Sequence, residues 1–155
     1  MIYAIDHVQI AIPVGQEEQA RQFYVAVLGM TEIPKPTALT GRGGLWLSAG
    51  SAQLHLGVGA DFRPAGKAHP AFLVRDLAAS LAVCRVHGCE VKDDEPPLDG
   101  YLRAHVFDPF GNRIELMQVI TNSSSSSQTA QSQATAQTAR QSDTRRSAGD
   151  TSQRT

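Results

Sequence analysis

Hydrophobic residues recur along this chain with a period that switches between two and about three and a half. In "DHVQIAIPV", Val8, Ile10 and Ile12 alternate with His7, Gln9 and Ala11, the pattern of a strand with one face buried. In "GQEEQARQFYVAVLGM", Ala20, Phe23, Tyr24, Val27 and Leu28 fall at helical spacing. Glu17 and Glu18 suit its first turn and Gly29 its left-handed end. Three short strand patterns follow, "MTEIP", "GLWLSAG" behind the break "TGRGG", and "AQLHLGV". The unit reads βαβββ.

The same order then returns. "AHPAFLV" predicts a strand, and "DLAASLAVCRVHG" a helix with Asp76 as N-cap and Gly88 at its end. "CEVKDDE", "YLRAHVFDP" and "NRIELMQV" predict three further strands. His7 and His69 are 62 residues apart, Gly29 and Gly88 are 59, and His55 and Glu115 are 60, so these positions are equivalent points of two tandem copies. Between the last two strands "DPFG" places Pro second and Gly fourth in a type I turn, which makes them a hairpin. The fold class expected is α+β: two tandem βαβββ modules in an open cupped mixed sheet, helices on the convex side.

Alternation assigns faces. With the more apolar face of each strand against its helix, the free face carries His7, Gln9, Trp46, Ser48, Gln53 and His55 in the first unit. In the second it carries His69, Tyr101, Arg103, His105, Phe107, Arg113, Glu115 and Met117. Only the Glu115 strand is ambiguous, because Ile114 and Leu116 compete with Met117 and Val119. A carboxylate among imidazoles suits a borderline divalent cation, zinc, nickel, manganese or ferrous iron, and such a cation would offset the hydration Glu115 gives up.

Composition narrows the setting. From Asn122 to the end the chain has no Leu, Ile, Val, Phe, Tyr or Trp, too little apolar area to offset ordering entropy, so residues 122–155 are expected to be a disordered tail and residues 1–121 a single domain. The tail holds four Arg and two Asp, leaving ten basic and thirteen acidic residues in the domain. A mildly acidic globule without a basic stripe argues against nucleic acid as a partner. No leader pattern and no apolar run long enough to span a membrane occurs, so a cytoplasmic protein without membrane attachment is expected. Cys84 and Cys89 read as ordinary thiols of a reducing compartment, and His87 as a helix-end residue favoured by the dipole. "TGRGG" and "GADFRPAGK" lack the strand-to-helix context of a phosphate cradle and read as ordinary loops.

"IDHVQIAIP...ARQFYVAVLGM", "QLHLGV", "KAHPAFLVRDL" and "FDPFGNRIELMQ" together resemble the vicinal oxygen chelate superfamily. It includes glyoxalase I, extradiol dioxygenases, fosfomycin-resistance thiol transferases, methylmalonyl-CoA epimerase and bleomycin-binding proteins. The resemblance covers residues 3 to 120 and implies paired βαβββ modules, commonly in a homodimer, around one divalent metal ion that chelates two substrate oxygens. Carried over by position, it makes His7, His69 and Glu115 metal ligands, with His55 at the fourth position, where glyoxalase-like and epimerase-like members usually carry Glu or Gln. That departure weighs against a two-carboxylate proton shuttle.

The leading expectation is a metal-dependent lyase, isomerase or epimerase of the glyoxalase type, acting on a small molecule through an enediolate-like intermediate, with Glu115 moving the proton. Tyr101, Arg103, Trp46 and His105 are the candidate substrate contacts. An iron-dependent extradiol-type dioxygenase is the alternative enzyme, if His55 stays off the metal, and a non-catalytic drug-binding protein is the alternative of another class. Whether the site is completed in one chain or across two stays open at this level.

Overall fold

The computed structural model describes residues 1–93, 96 and 98–121; the expected tail lies outside the described residues. Contacts divide the chain into Met1–Ile120 and Thr121–Thr155, and the strands and helices among the described residues lie in the first unit. Two four-stranded mixed sheets carry the fold, β1 to β4 in the order β1-β4-β3-β2 and β5 to β8 in the order β5-β8-β7-β6. The strands are β1 Val8–Pro13, β2 Thr31–Ile33, β3 Leu45–Ala49, β4 Ala52–Gly59, β5 Ala71–Leu73, β6 Val91–Lys92, β7 Tyr101–Phe107 and β8 Arg113–Val119. In each sheet the first strand of its module pairs parallel with the last, and the remaining pairs are antiparallel. Both sheets are open, and the α+β class is as the alternation predicts.

In β1, β3, β4, β7 and β8 the aliphatic face enters the core. Ile12, Leu45, Leu47, Leu54 and Leu56 of the first module and Ala104, Val106, Ile114 and Leu116 of the second are all within one core. At roughly 1.5–3 kcal/mol for each large side chain fully removed from water, this burial sets strand orientation. The ambiguous strand is thereby settled: Ile114 and Leu116 are in the core, and Glu115 lies on the opposite face.

Helix α1, Glu17–Arg21, is shorter than its hydrophobic pattern and runs on as a wider turn over Gln22–Val27, where Leu28 N–H bonds to the Phe23 carbonyl five residues back at 2.9 Å. Gly29 ends it in the left-handed conformation. Helix α2, Leu77–Val86, buries Leu77, Leu81 and Cys84 on one stripe; Asp76 accepts from Ala79 N at 2.9 Å as N-cap, and Gln118 Oε1 takes the Leu77 N–H at 2.7 Å. No helix among the described residues is long and apolar enough to cross a membrane. Cys84 is buried and Cys89 half-buried, both free thiols; burial pushes the Cys84 thiol up to about 11.

Three local expectations change. The "TGRGG" region holds a 3-10 helix, Thr37–Arg42, before the left-handed Gly43 and Gly44. Gly44 donates to Glu17 Oε1 at 2.8 Å, and a Cβ built on it would stand 2.0 Å from the Leu56 carbonyl oxygen. β5 is brief because Pro70 has no N–H to give the ladder, although its carbonyl accepts from Glu115 N at 3.0 Å; His69 therefore precedes the strand. β6 keeps only two residues of "CEVKDDE", whose Asp94 and Glu95 lie outside the described residues.

The β7–β8 turn has the expected Gly111 N–H to Asp108 carbonyl bond at 3.0 Å. Asp108 does more than turn the chain: it is buried, and its Oδ1 accepts from Phe110 N and Asn112 N. Its Oδ2 accepts from Asn112 Nδ2 and from the Tyr24 hydroxyl, each at 2.8 Å, while Asn112 Nδ2 also reaches the Ala11 carbonyl at 2.9 Å. The hairpin of the second module is thus tied to the helix and first strand of the first. Burial, and the Asp108 charge beside it, push the Tyr24 phenol far above its ordinary pKa.

Candidate metal centre

Strand register makes the equivalence of the modules concrete. Glu115 on β8 is flanked by His105 of β7 and Ala71 of β5, as His55 on β4 is flanked by Trp46 of β3 and Gln9 of β1. His69 stands two residues before Ala71 and His7 two before Gln9, so the expected ligand positions coincide in the two frames.

In the second module His69, His105 and Glu115 present ligand atoms all within 4.8 Å of one another. His69 Nδ1 lies 2.7 Å from the Lys67 carbonyl oxygen, and its Nε2 lies 3.3 Å from Glu115 Oε2. A carbonyl only accepts, so Nδ1 carries the proton. Nε2 then meets a carboxylate oxygen, and only a second proton or a cation between the two atoms makes that approach attractive. The other carboxylate oxygen, Oε1, accepts from Arg103 Nη1 at 2.9 Å, and Arg103 Nε is fixed on the Pro96 carbonyl at 3.0 Å. Burial raises the pKa of Glu115, but the hydrogen bonds from Arg103 and His69 outweigh it and hold the carboxyl below the usual range.

The first module gathers rings instead. His55 is sandwiched between Trp46, with centroids 4.0 Å apart and planes within 3°, and His7, at 3.9 Å and 20°. His7 Nδ1 lies 2.8 Å from Asp6 Oδ1, which leaves its Nε2 available. His55 Nε2 is buried without a hydrogen-bond partner among the described residues. Burial and the neighbouring His7 push the His55 pKa down, which disfavours the charged ring. A concavity of about 440 Å³ lies over this face, lined in part by His7, Gln9, Trp46 and His55.

The residues fit a borderline divalent ion in their donor chemistry: imidazole nitrogens with carbonyl or carboxylate support behind them, one ionised carboxylate, and an orphaned buried nitrogen. The structure brings His69 to Glu115 and His7 to His55. The cation cluster found among the described residues does not include His7 or His55. Of the candidate substrate contacts, Arg103 and His105 adjoin Glu115 and Trp46 stacks on His55. Tyr101 opposes Val119, four residues along β7 from His105 and so about 13 Å away by strand rise. Sequence reasoning put His105 on the right face but not beside Glu115; counting back from the "DPFG" turn, where Phe107 opposes Arg113, would have found the pair. The part of Asp108 and Asn112 in joining the modules was missed, since a turn signature carries no word of distant partners.

The Glyoxalase/Bleomycin resistance protein/Dioxygenase superfamily matches residues 4–116. No curated protein matches the chain. A solved structure of a protein from Bacillus anthracis, described as of the glyoxalase family, is 48% identical with TM-score 0.73, covering 77% of this chain and 98% of its own. TnmS3, an antibiotic binding protein from Streptomyces sp. CB03234, is 26% identical with TM-score 0.58, over 77% and 100%. A mutant of the fosfomycin resistance protein FosX from Listeria monocytogenes, complexed with Mn(II) and 1S,2S-dihydroxypropylphosphonic acid, shares the fold at 15% identity and TM-score 0.65, over 77% and 95%.

Proposed function

The chain belongs to the glyoxalase/bleomycin resistance protein/dioxygenase superfamily, and from that premise we propose that it is a metal-dependent enzyme of the lyase, isomerase or epimerase type acting on a small molecule. The observation that carries this reading is the pair of nitrogens on His69, one committed to a backbone carbonyl and the other aimed at Glu115 Oε2. His69 and Glu115 would hold a divalent cation there, which would supply Lewis-acid charge to substrate oxygen. Arg103 engages Glu115 Oε1 and favours the ionised carboxylate, so Oε2 would be the oxygen left to hold the cation or exchange a proton with substrate. His105 and Arg103 contact the polar end of the substrate, Trp46 forms an apolar wall, and Tyr101 serves at the rim.

His7, His55, His69 and Glu115 form one site when a second copy of the chain brings its first module to the second module of the first, which makes a homodimer with shared sites. Support comes from the half-sets themselves: two rings with an orphaned nitrogen on one side, a carboxylate cluster on the other. Mixing His55→Ala chains with Glu115→Ala chains is expected to restore metal binding in part, because half of the sites in a mixed dimer regain both residues. No recovery would confine the site to one chain.

Chelation followed by refilling with Ni, Zn, Mn or Fe should abolish and restore turnover of 2-oxoaldehyde–thiol adducts or epimerisable thioesters. A protein that refuses every divalent ion but binds drug-like molecules would instead be a sequestering protein, as the likeness to an antibiotic binding protein suggests. Oxygen uptake with catechols under ferrous iron would move it to the dioxygenases.

A further inference from the structure

Arg113 shares the face of β8 with Glu115 and is half-buried, yet among the described residues its guanidinium touches no carboxylate. Its Nη2 donates to the Lys67 carbonyl at 2.7 Å and reaches the Gly66 carbonyl at 3.4 Å, while its Nε is buried without a hydrogen-bond partner. Leaving such a donor unmade costs about 1–3 kcal/mol, which makes the placement a constraint rather than a convenience. The Lys67 carbonyl is also the acceptor of His69 Nδ1, at 2.7 Å. Its two lone pairs are therefore shared between one arginine and one histidine.

The linker that supplies this carbonyl has no strand or helix of its own to hold it. It rests on the β7–β8 hairpin through Phe62 edge-on to Phe110, through Pro64 against Gly111, and through the Pro70 carbonyl on Glu115 N. Arg113 adds a polar side chain to that set and is the one that bonds to the oxygen behind the ligand ring.

We propose that Arg113 is a positioning residue for the metal site: by fixing the Lys67 carbonyl it holds a proton on His69 Nδ1, so that Nε2 is the nitrogen presented to a cation at Glu115. This rests on the reading of His69 and Glu115 as ligands. A carbonyl behind a ligating imidazole sets its tautomer and orientation, and loss of such support costs about 10–100-fold in metal affinity. Without the guanidinium the carbonyl is free to turn to water, and the imidazole can place its proton on Nε2 and donate to the carboxylate, which removes the lone pair a cation needs.

The test uses Arg113→Met, which keeps the aliphatic stem, Arg113→Lys, which keeps one cationic donor, and the unsubstituted full chain. Imidazole nitrogen spectra of the metal-free proteins report which nitrogens of His69 carry protons, and titration with Mn(II) reports affinity. The unsubstituted chain and Arg113→Lys are expected to keep His69 Nδ1 protonated throughout. Arg113→Met is expected to show a mixture and about 10–100-fold weaker Mn(II) binding. An unchanged His69 signal in Arg113→Met, even with a lower melting temperature, would overturn the proposal and leave Arg113 a structural clamp. Should Arg113→Met not fold, the same comparison runs with Arg113→Gln. If the unsubstituted chain binds no Mn(II), the metal-site reading falls, while the metal-free spectra still decide the part played by Arg113.

Discussion

The two modules share a strand order and a register, yet they place opposite chemistry at matched points. Where the second has Glu115 beside His105, the first has His55 beside Trp46. One step further along the frame the second carries Arg103, whereas the first carries Gly44, which leaves no side chain to engage a charge. The result is a charged cluster on one sheet and a column of stacked rings on the other. A repeated frame fixes where donor atoms stand but not what they are, so duplication lets one copy specialise in charge and the other in lone pairs and apolar wall. Their turns differ as well: β3–β4 closes through Gly50 and Ser51 alone, while β7–β8 buries Asp108 and reaches across to the other module.

That asymmetry is open to attack at several points. The largest effect is expected from Asp108→Ala, which strips the acceptor from two backbone N–H groups, the Asn112 amide and the Tyr24 hydroxyl. Denaturant melts should register a loss of about 4 kcal/mol, since each orphaned buried donor costs about 1–3 kcal/mol and part of this relaxes. Replacing Gly50 or Ser51 in the matching turn should stay well below that. Next comes Glu115→Ala, expected to weaken Mn(II) binding by at least about 100-fold, or about 2.8 kcal/mol, while His55→Ala costs less because it removes a neutral ligand. If calorimetric titration ranks them the other way, the charge of the second module is not what holds the ion. Tyr24→Phe removes one hydrogen bond to the Asp108 carboxylate and should cost about 1.5 kcal/mol in the same melts, with metal affinity unchanged.

The smallest effect is a titration. His55 in the metal-free protein should lose its proton below the ordinary imidazole value of 6.5, first because burial disfavours the charged ring and second because His7 is beside it. A depressed pKa in the folded state means that the stabilising contribution is complete above 6.5 and is lost as pH falls through the folded value. Imidazole proton shifts followed against pH measure it; a His55 midpoint at or above 6.5 would show that the stack leaves the ring solvated.

Much of the fold was legible beforehand. Alternation in β1, β3, β4 and β7 put the aliphatic residues in the core and the ionisable ones opposite, because a period of two leaves no other choice once one face is buried. In β8 both faces carry apolar residues, and only packing against the rest of the core told Ile114 and Leu116 from Met117 and Val119. The four candidate ligands could be assigned a face but not a common centre, since that depends on how two sheets are placed, and strand periodicity says nothing about it. Arg113 was visible as a cup-face residue, yet its partners are linker carbonyls, which no side-chain pattern announces. The wide turn over Gln22–Val27 escaped for a related reason: Phe23, Tyr24, Val27 and Leu28 satisfy an ordinary helical spacing equally well.

Gly44 shows how little freedom such a frame leaves at its joints. Its backbone is left-handed, its amide is taken by Glu17, and the space a methyl group would need already belongs to the Leu56 oxygen, one residue from His55. Drift at this position is closed in a way that drift at the proposed ligand positions is not: descendants of this chain can trade an imidazole for a carboxylate there, but the hydrogen atom at residue 44 is inherited.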